Sequence, residues 1–182
     1  MLRNGTSPPV RMAASDDWRS LPIPPLRGTS GRGMDVREIC RHGVVVAYRA
    51  MVLSEAARLM RDRHVGSLVV VEDRDAGKWP VGMLTDRDIT VSAVAAERDP
   101  RTMSVGDVMS ADLVCVRDDD NVIDALALMR RRGVRRVPVV TRAGMLAGIV
   151  TLDDLLRGAV AQLDDLVAAI SGELAAEARE GG

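Results

Sequence analysis

Two stretches of this chain place their apolar residues at helical spacing. In each stretch the hydrophobic residues recur at intervals of three and four, which puts them on one face of an α-helix. They are Leu53, Ala56, Ala57 and Met60 in the first stretch and Val122, Ala125, Leu126 and Met129 in the second. Asn121 precedes the second stretch and Gly133 follows it, so the pattern predicts a capped helix that ends at this glycine.

Short apolar runs surround each predicted helix and favour strands. One run precedes each helix, at residues 44–47 and 113–116, and two runs separated by a turn follow it. The last run ends at Thr85 or Thr151, after which another helix is predicted. A capping-box spacing predicts a small helix ahead of each group, in Asp35-x-x-Glu38 and in Ser104-x-x-Asp107. The predicted class is therefore an α/β fold of the α+β type, with the order helix, strand, helix, strand, strand, helix.

The two groups are copies of one unit. An offset of 69 residues places residues 68–71 on residues 137–140, and an offset of 66 places residues 82–85 on residues 148–151. The change of offset falls in the turn between two strands, where a loop alters its length at little cost. Self-similarity of this kind indicates a duplicated structural unit.

The chain outside the two units has a different composition. The N-terminal part is rich in Pro and Gly and has no helical or strand period, so we expect a disordered tail. After the second unit, Leu163, Val167, Ile170 and Leu174 form an apolar stripe, which needs cover from the protein itself or from a second copy. The predicted organisation is a tail over 1–33, a first repeat over 34–97, a linker over 98–102, a second repeat over 103–160 and a C-terminal amphipathic helix over 161–182.

Composition narrows the classes of partner. Lys and Arg total 25 against 26 for Asp and Glu, a balance that disfavours a nucleic-acid-coating protein. Two cysteines make no disulfide scaffold, which favours a reducing compartment, and Cys40-x-His42 supplies too few ligands for a zinc site. The apolar runs are far shorter than the ~20 residues that span a bilayer. We therefore expect a cytoplasmic protein without a nucleic-acid, membrane or metal partner.

One seven-residue pattern occurs at the end of each unit. Residues 82–88 and 148–154 both have glycine, two apolar residues, threonine, two variable residues and aspartate. The threonine and aspartate have the spacing of a helix cap, which needs no ligand. A strand that ends at a helix N-terminus also offers a phosphate site, and the aspartate could accept ribose hydroxyls while the glycine leaves room for a base. Both interpretations remain open from the sequence.

The duplication and this pattern together resemble a tandem pair of CBS domains, the regulatory repeat named after cystathionine β-synthase. The resemblance covers residues 34 to about 160. Within it, residues 82–89 are similar to the same segment of small bacterial stand-alone CBS pairs. It implies two repeats packed about a pseudo-two-fold axis, with two clefts that often bind AMP, ADP, ATP or S-adenosylmethionine.

The resemblance also implies roles for individual residues. Asp88 and Asp154 would hold ribose hydroxyls, and Thr85 and Thr151 would meet the phosphate. The adenine would be sandwiched by the backbone near Val45 and Val114 and by the starts of the next strands at Ser67 and Arg136. Arg136 could also face a polyphosphate. Arg87 in the first motif and Asp153 in the second occupy matching positions, so their opposite charges should distinguish the clefts.

No catalytic constellation accompanies these residues. The chain has no Ser-His-Asp order, no P-loop and no paired catalytic acids. We expect a non-catalytic regulatory module that binds an adenine nucleotide between its repeats, forms a homodimer and signals to a regulated protein. The alternative is a ligand-free dimeric scaffold of the same family.

Overall fold

The computed structural model describes residues 34–75, 77–164 and 167. The predicted tail over 1–33 and residues 168–182 of the predicted C-terminal helix lie outside these residues. The elements of the first repeat are a 3₁₀ turn at Val36–Glu38, β1 (Val46–Tyr48), α1 (Leu53–Asp62), β2 (Ser67–Arg74), β3 (Gly77–Thr85) and α2 (Asp86–Ile89), which a π-helical turn at Thr90–Val94 continues. Those of the second are a 3₁₀ turn at Val105–Asp107, β4 (Val116–Arg117), α3 (Val122–Arg132), β5 (Arg136–Val140), β6 (Leu146–Thr151) and α4 (152–164).

The predicted order of elements is confirmed in both repeats. Each repeat forms a three-stranded sheet, in the order β1-β2-β3 or β4-β5-β6. The first strand of each sheet runs parallel to the second, and the second is antiparallel to the third. A βαβ crossover followed by a hairpin gives this topology.

The predicted helix faces, caps and helix end are confirmed. The apolar faces of α1 and α3 are buried. The side chain of Asn121 caps α3 by accepting a hydrogen bond from the backbone N–H of Ile123. Gly133 ends the helix with φ at 65°, a left-handed conformation that glycine adopts without steric cost. The two predicted capping boxes, at Asp35 and Ser104, are both present.

The opening segments, which we define as residues 34–43 and 103–112, are exchanged between the repeats. Val36 and Cys40 lie in the hydrophobic core of the second repeat, and Met103 and Val105 lie in that of the first. The backbone N–H of Val36 donates to Asp120 O over 2.9 Å. The sequence repeat assigns each opening segment to the copy that it begins, whereas in the structure each one completes the core of the other copy.

The exchange is symmetric and joins the two repeats. Arg41 forms a backbone bridge with Ile149 in β6, and Ser110 forms the equivalent bridge with Met83 in β3. Strands β3 and β6 also lie against each other. These matching contacts give the two repeats their pseudo-two-fold relation and bring together β3 and β6, the strands that begin the two seven-residue motifs.

Candidate functional site

The motif of the first repeat forms a capped turn between β3 and α2. Thr85 is the N-cap, and its Oγ1 accepts from the backbone N–H of Asp88 over 3.2 Å. In return, Asp88 Oδ2 accepts from the backbone N–H of Thr85 over 2.8 Å and from its hydroxyl over 2.7 Å. The capping interpretation of this motif is therefore confirmed, and it occupies only one oxygen of the aspartate.

The motif of the second repeat has the same local geometry. Asp154 Oδ2 accepts from the backbone N–H of Thr151 over 3.2 Å and from its hydroxyl over 2.6 Å. The Oγ1 of Thr151 accepts from the backbone N–H of Asp154 over 3.2 Å. Both turns thus hold a carboxylate at the first turn of a helix, where the N-terminal end of the helix dipole favours a negative charge.

The two aspartates differ in what their second oxygen contacts. Asp154 Oδ1 accepts from Arg41 Nη2 over 3.0 Å, and the side chain of Asp154 is 8% exposed. Burial raises the pKa of Asp154, but the hydrogen bonds from Thr151 and Arg41 outweigh it and hold the pKa below the usual value. Among the described residues no donor contacts Asp88 Oδ1, and Asp88 is half-buried.

The strand pairing brings further predicted site residues to these turns. Ser67 at the start of β2 is the register partner of Thr85, and Arg136 at the start of β5 is the partner of Thr151. Val45 precedes β1 and its carbonyl accepts from the N–H of Val69 in β2 over 3.3 Å. Val45 and Val114 both pack against the hydrophobic core, Val45 in the first repeat and Val114 in the second.

Arg136 also reaches the first repeat. A Cβ atom placed on Gly66 would lie 3.6 Å from Arg136 Nη1 and 3.1 Å from Asp86 Oδ2. The carbonyl of Gly66 accepts from the backbone N–H of Asp86, which opens α2. Arg136 therefore places a cation near the beginning of α2 in the other repeat. Arg87 and Arg136 are both exposed.

The motif glycines make room for the chain itself. A Cβ atom on Gly82 would lie 2.8 Å from Ser110 O and 2.8 Å from Met109 Sδ, and one on Gly148 would lie 2.9 Å from Arg41 O. The expectation that these glycines leave space for a base is therefore wrong, because the exchanged opening segments fill that space.

Arg41 is a site residue that sequence reasoning missed. It lies 113 positions from Asp154, outside every motif, and its counterpart under the repeat offset is Ser110. No local pattern of hydrophobic or polar residues marks it. Only the exchange of the opening segments brings its side chain to the second motif.

An apolar surface lies on the helices and reaches the second motif at Leu152. Exposed large hydrophobic residues include Val91 and Val94 on the π-helical turn, Ile123 on α3 and Leu156, Val160 and Leu163 on α4, followed by Val167. Beside α3 a groove of about 630 Å³ is lined by Ile123, Leu126, Ala127, Met129, Arg130, Gly133, Val134, Arg135 and Leu152. The described part of the predicted stripe, Leu163 and Val167, is exposed, and Ile170 and Leu174 lie outside the described residues.

The two cysteines lie in different surroundings. Cys40 Sγ lies 3.9 Å from Nδ1 and 4.0 Å from Nε2 of His42. Burial raises the pKa of Cys115 to about 12, so its thiol is protonated at neutral pH. Over residues 34–75, 77–164 and 167, no three His, Cys, Asp or Glu side chains are grouped to hold a metal ion. Within the same residues no helix has the length and apolarity to cross a membrane.

Two interlocked copies of one α/β unit, each with a capped strand-to-helix turn in the centre, define a paired-repeat module. A model of the CBS domain family matches residues 36–93 and again residues 105–161. The chain belongs to the CBS domain family, as the sequence resemblance indicated. Proteins built on CBS pairs are regulatory modules and are typically non-catalytic.

Relatives of this chain include small proteins from archaea and bacteria. An uncharacterized protein of Methanopyrus kandleri is 34% identical over 126 residues, which cover 69% of this chain and 63% of that protein, less than two thirds of its length. Hypoxic response protein 1 of Mycobacterium tuberculosis is 36% identical over 121 residues, which cover 66% of this chain and 82% of that protein.

Solved structures have the same fold. Hypoxic response protein I with two coordinated zinc ions shares 35% identity with a TM-score of 0.60, over 68% of this chain and 98% of that one. A hexameric CBS-CP12 protein from bloom-forming cyanobacteria shares 28% identity with a TM-score of 0.60, over 68% and 69% of the two chains. A CBS domain pair in complex with 5-methylthioadenosine and S-adenosyl-L-methionine has 24% identity and a TM-score of 0.59 over 69% and 94%, which shows the shared fold alone.

Proposed function

We propose that this protein is a non-catalytic regulatory module that binds an adenine nucleotide at its central strand-to-helix turns. The observation that carries the proposal is the half-buried Asp88, whose Oδ2 caps α2 while Oδ1 has no donor among the described residues. An ionised carboxylate oxygen held in this way is a strong acceptor for the hydroxyls of a ribose.

Cations near the same turn suit the phosphate end of such a ligand. Arg87 lies between Thr85 and Asp88 in the motif, and Arg136 approaches the beginning of α2 from the other repeat. AMP, ADP and ATP carry phosphate groups and a net negative charge that these guanidiniums can bind, whereas S-adenosylmethionine has no phosphate and its sulfonium and ammonium give it a net positive charge. We therefore place the phosphorylated nucleotides ahead of S-adenosylmethionine, which a structural relative binds.

A panel of ligands tests the choice of class. AMP, ADP, ATP and S-adenosylmethionine would each be added in a thermal unfolding experiment. A ligand at 100 times its dissociation constant stabilises a protein by ~2.7 kcal/mol. Stabilisation by the three phosphorylated nucleotides and a smaller effect of S-adenosylmethionine is expected.

Calorimetry with a modified sugar tests the role of Asp88. AMP should bind the wild type more tightly than 2′,3′-dideoxy-AMP by roughly 1–3 kcal/mol, because the analogue leaves a carboxylate acceptor unpaired. In Asp88→Ala that difference should fall toward zero, which is the logic of a double-mutant cycle. Asp154→Ala is the matched variant. An undiminished difference in both variants would show that neither aspartate holds the ribose.

We propose that the active form is a homodimer joined through the helices. The exposed residues of α4 and the groove beside α3 form an apolar surface, and apolar surfaces that face solvent commonly mark interaction sites. The hexameric CBS-CP12 relative shows that this fold assembles in at least one other protein. A second copy is the occupant that this surface fits, and a nucleotide-dependent change would pass from it to a regulated protein.

A ligand-free scaffold is the competing function, and the helix surface favours it equally. The two functions differ only in the turns, since a scaffold needs the caps but no acceptor for a sugar. Absence of AMP, ADP, ATP and S-adenosylmethionine binding together with an intact dimer would establish the scaffold.

A further inference from the structure

We infer that Arg41 closes the second motif to a ribose, so that the turn at Thr85 and Asp88 is the one nucleotide site of each chain. The inference rests on the proposed function and assigns that function to one of two turns that the sequence repeat makes equivalent. It predicts one bound nucleotide per chain rather than two.

The asymmetry begins with the acceptors that remain after capping. In both turns Oδ2 of the aspartate is occupied by the backbone N–H and hydroxyl of the cap threonine. Only Oδ1 is left to accept from a sugar. In Asp154 that oxygen binds Arg41 Nη2 at 3.0 Å, whereas in Asp88 it has no donor among the described residues.

The backbone fixes Arg41 beside its partner. Its N–H donates to Ile149 O over 2.9 Å, and its carbonyl accepts from Ile149 N–H over 3.0 Å. Ser110 makes the same pair of bonds with Met83, at 2.9 and 3.0 Å. Position 110 is therefore the structural counterpart of position 41, and its short side chain has no guanidinium to bring to Asp88.

The carboxylate of the pair is buried, whereas the Arg41 side chain is 65% exposed. Asp154 is 8% exposed, so removing Arg41 without a substitute would leave a buried charge with fewer donors. A neutral hydroxyl is a weaker donor to this carboxylate than a guanidinium. A ribose that competes with Arg41 for Oδ1 should therefore bind the second turn at least about tenfold more weakly than the first, so that the second turn stays empty at AMP concentrations that fill the first.

The charges at one neighbouring position, Arg87 and Asp153, act in the same direction. Asp153 lies beside Asp154 in the second motif and is exposed. The hydrogen bond to Asp154 and the charge of Asp154 raise the pKa of Arg41, and the charge of Asp153 adds to this shift. A nucleotide phosphate at this turn would meet that carboxylate. In the first motif the matching residue is Arg87, which attracts a phosphate.

Exchange of Arg41 for the residue of its counterpart tests the inference. Calorimetric titration with AMP of the wild type, Arg41→Ser and Arg41→Ser/Asp154→Asn should give one, two and one sites per chain, respectively. Asp88→Asn should remove the wild-type site. Arg37→Ser is the matched control, because Arg37 belongs to the same opening segment and pairs with the surface residue Asp35 over 3.1 Å. It should keep one site.

Failure of this inference differs from failure of the proposed function. Two sites in the wild type, or one site that Asp154→Asn removes and Asp88→Asn retains, would overturn the assignment while nucleotide binding stands. One site in both the wild type and Arg41→Ser would overturn the role of Arg41. No binding of AMP by any variant would overturn the proposed function and this inference with it. A circular-dichroism melt of Arg41→Ser shows that the variant is folded.

Discussion

Replacement of Gly148 by alanine should break the junction between the two repeats. A Cβ atom at this position would lie 2.9 Å from Arg41 O and 3.1 Å from Cys40 Sγ. Ordinary contacts of a Cβ atom begin near 3.4 Å, so the opening segment would have to move by several tenths of an ångström. The atom it meets is backbone, and that carbonyl accepts from Ile149 N–H over 3.0 Å.

This contact sets the expected loss in the free energy of unfolding. Forcing extra volume into a close-packed site costs typically about 1–3 kcal/mol, and the upper half of that range applies where backbone must shift. In a chain of this size each kcal/mol lowers the melting temperature by roughly 2–4 °C. Gly82→Ala should act similarly, because its Cβ would lie 2.8 Å from Ser110 O. Urea titration followed by circular dichroism measures the free energy of unfolding.

Gly43→Ala is the matched control. Gly43 lies in the same opening segment, and apart from its two chain neighbours no described residue has an atom within 4 Å of a Cβ placed on it. Its φ is not in the left-handed region, so alanine should be neutral or should stabilise by about 0.4–1 kcal/mol through the unfolded chain. If Gly148→Ala and Gly82→Ala unfold at the same urea concentration as Gly43→Ala, the exchange of opening segments is not the arrangement in solution.

Two further predictions concern charge and assembly. Because the pKa of Asp154 is held below its usual value of about 4, the carboxylate stabilises the fold above that pH and this contribution is lost as the pH falls through the lowered value. The difference in unfolding free energy between wild type and Asp154→Asn should therefore be larger at pH 6 than at pH 2.5, and an equal difference would refute the assignment. Val160→Asp and Leu163→Asp, which change exposed residues of α4, should shift the mass in light scattering from dimer to monomer, whereas Arg61→Ser should leave it unchanged.

The sequence predicts the elements of this fold well because their signals are local. A helix face at three- and four-residue spacing, a cap at Asn121 and a stop at Gly133 lie within a few residues of the structure that they determine. The offset between repeats aligns the strands, and the pairing of β2 with β3 matches that of β5 with β6. Duplication supplies a second, independent copy of each weak local signal.

The exchange of opening segments is harder to predict because it depends on contacts between distant parts of the chain. A 3₁₀ turn such as Val36–Glu38 has the same capping box whichever core it enters. Its apolar residues match the interiors of both repeats, which are themselves copies. Only the tertiary structure shows that Val36 packs with the second repeat. Only the tertiary structure shows, too, that the backbone of Arg41 lies so close to position 148 that a side chain there would collide with it.

Capping and ribose binding are compatible functions of one aspartate. The cap uses Oδ2, so the question of a ligand concerns Oδ1 alone, and a melting temperature measured on Asp88→Ala reports the loss of the cap in either case. In the second turn the chain supplies its own donor for Oδ1 from Arg41. Within the described residues, the same carboxylate geometry thus serves as a structural ion pair in one repeat and leaves an acceptor open in the other. Duplicated units can diverge in this way through a single residue that lies outside the motif they share.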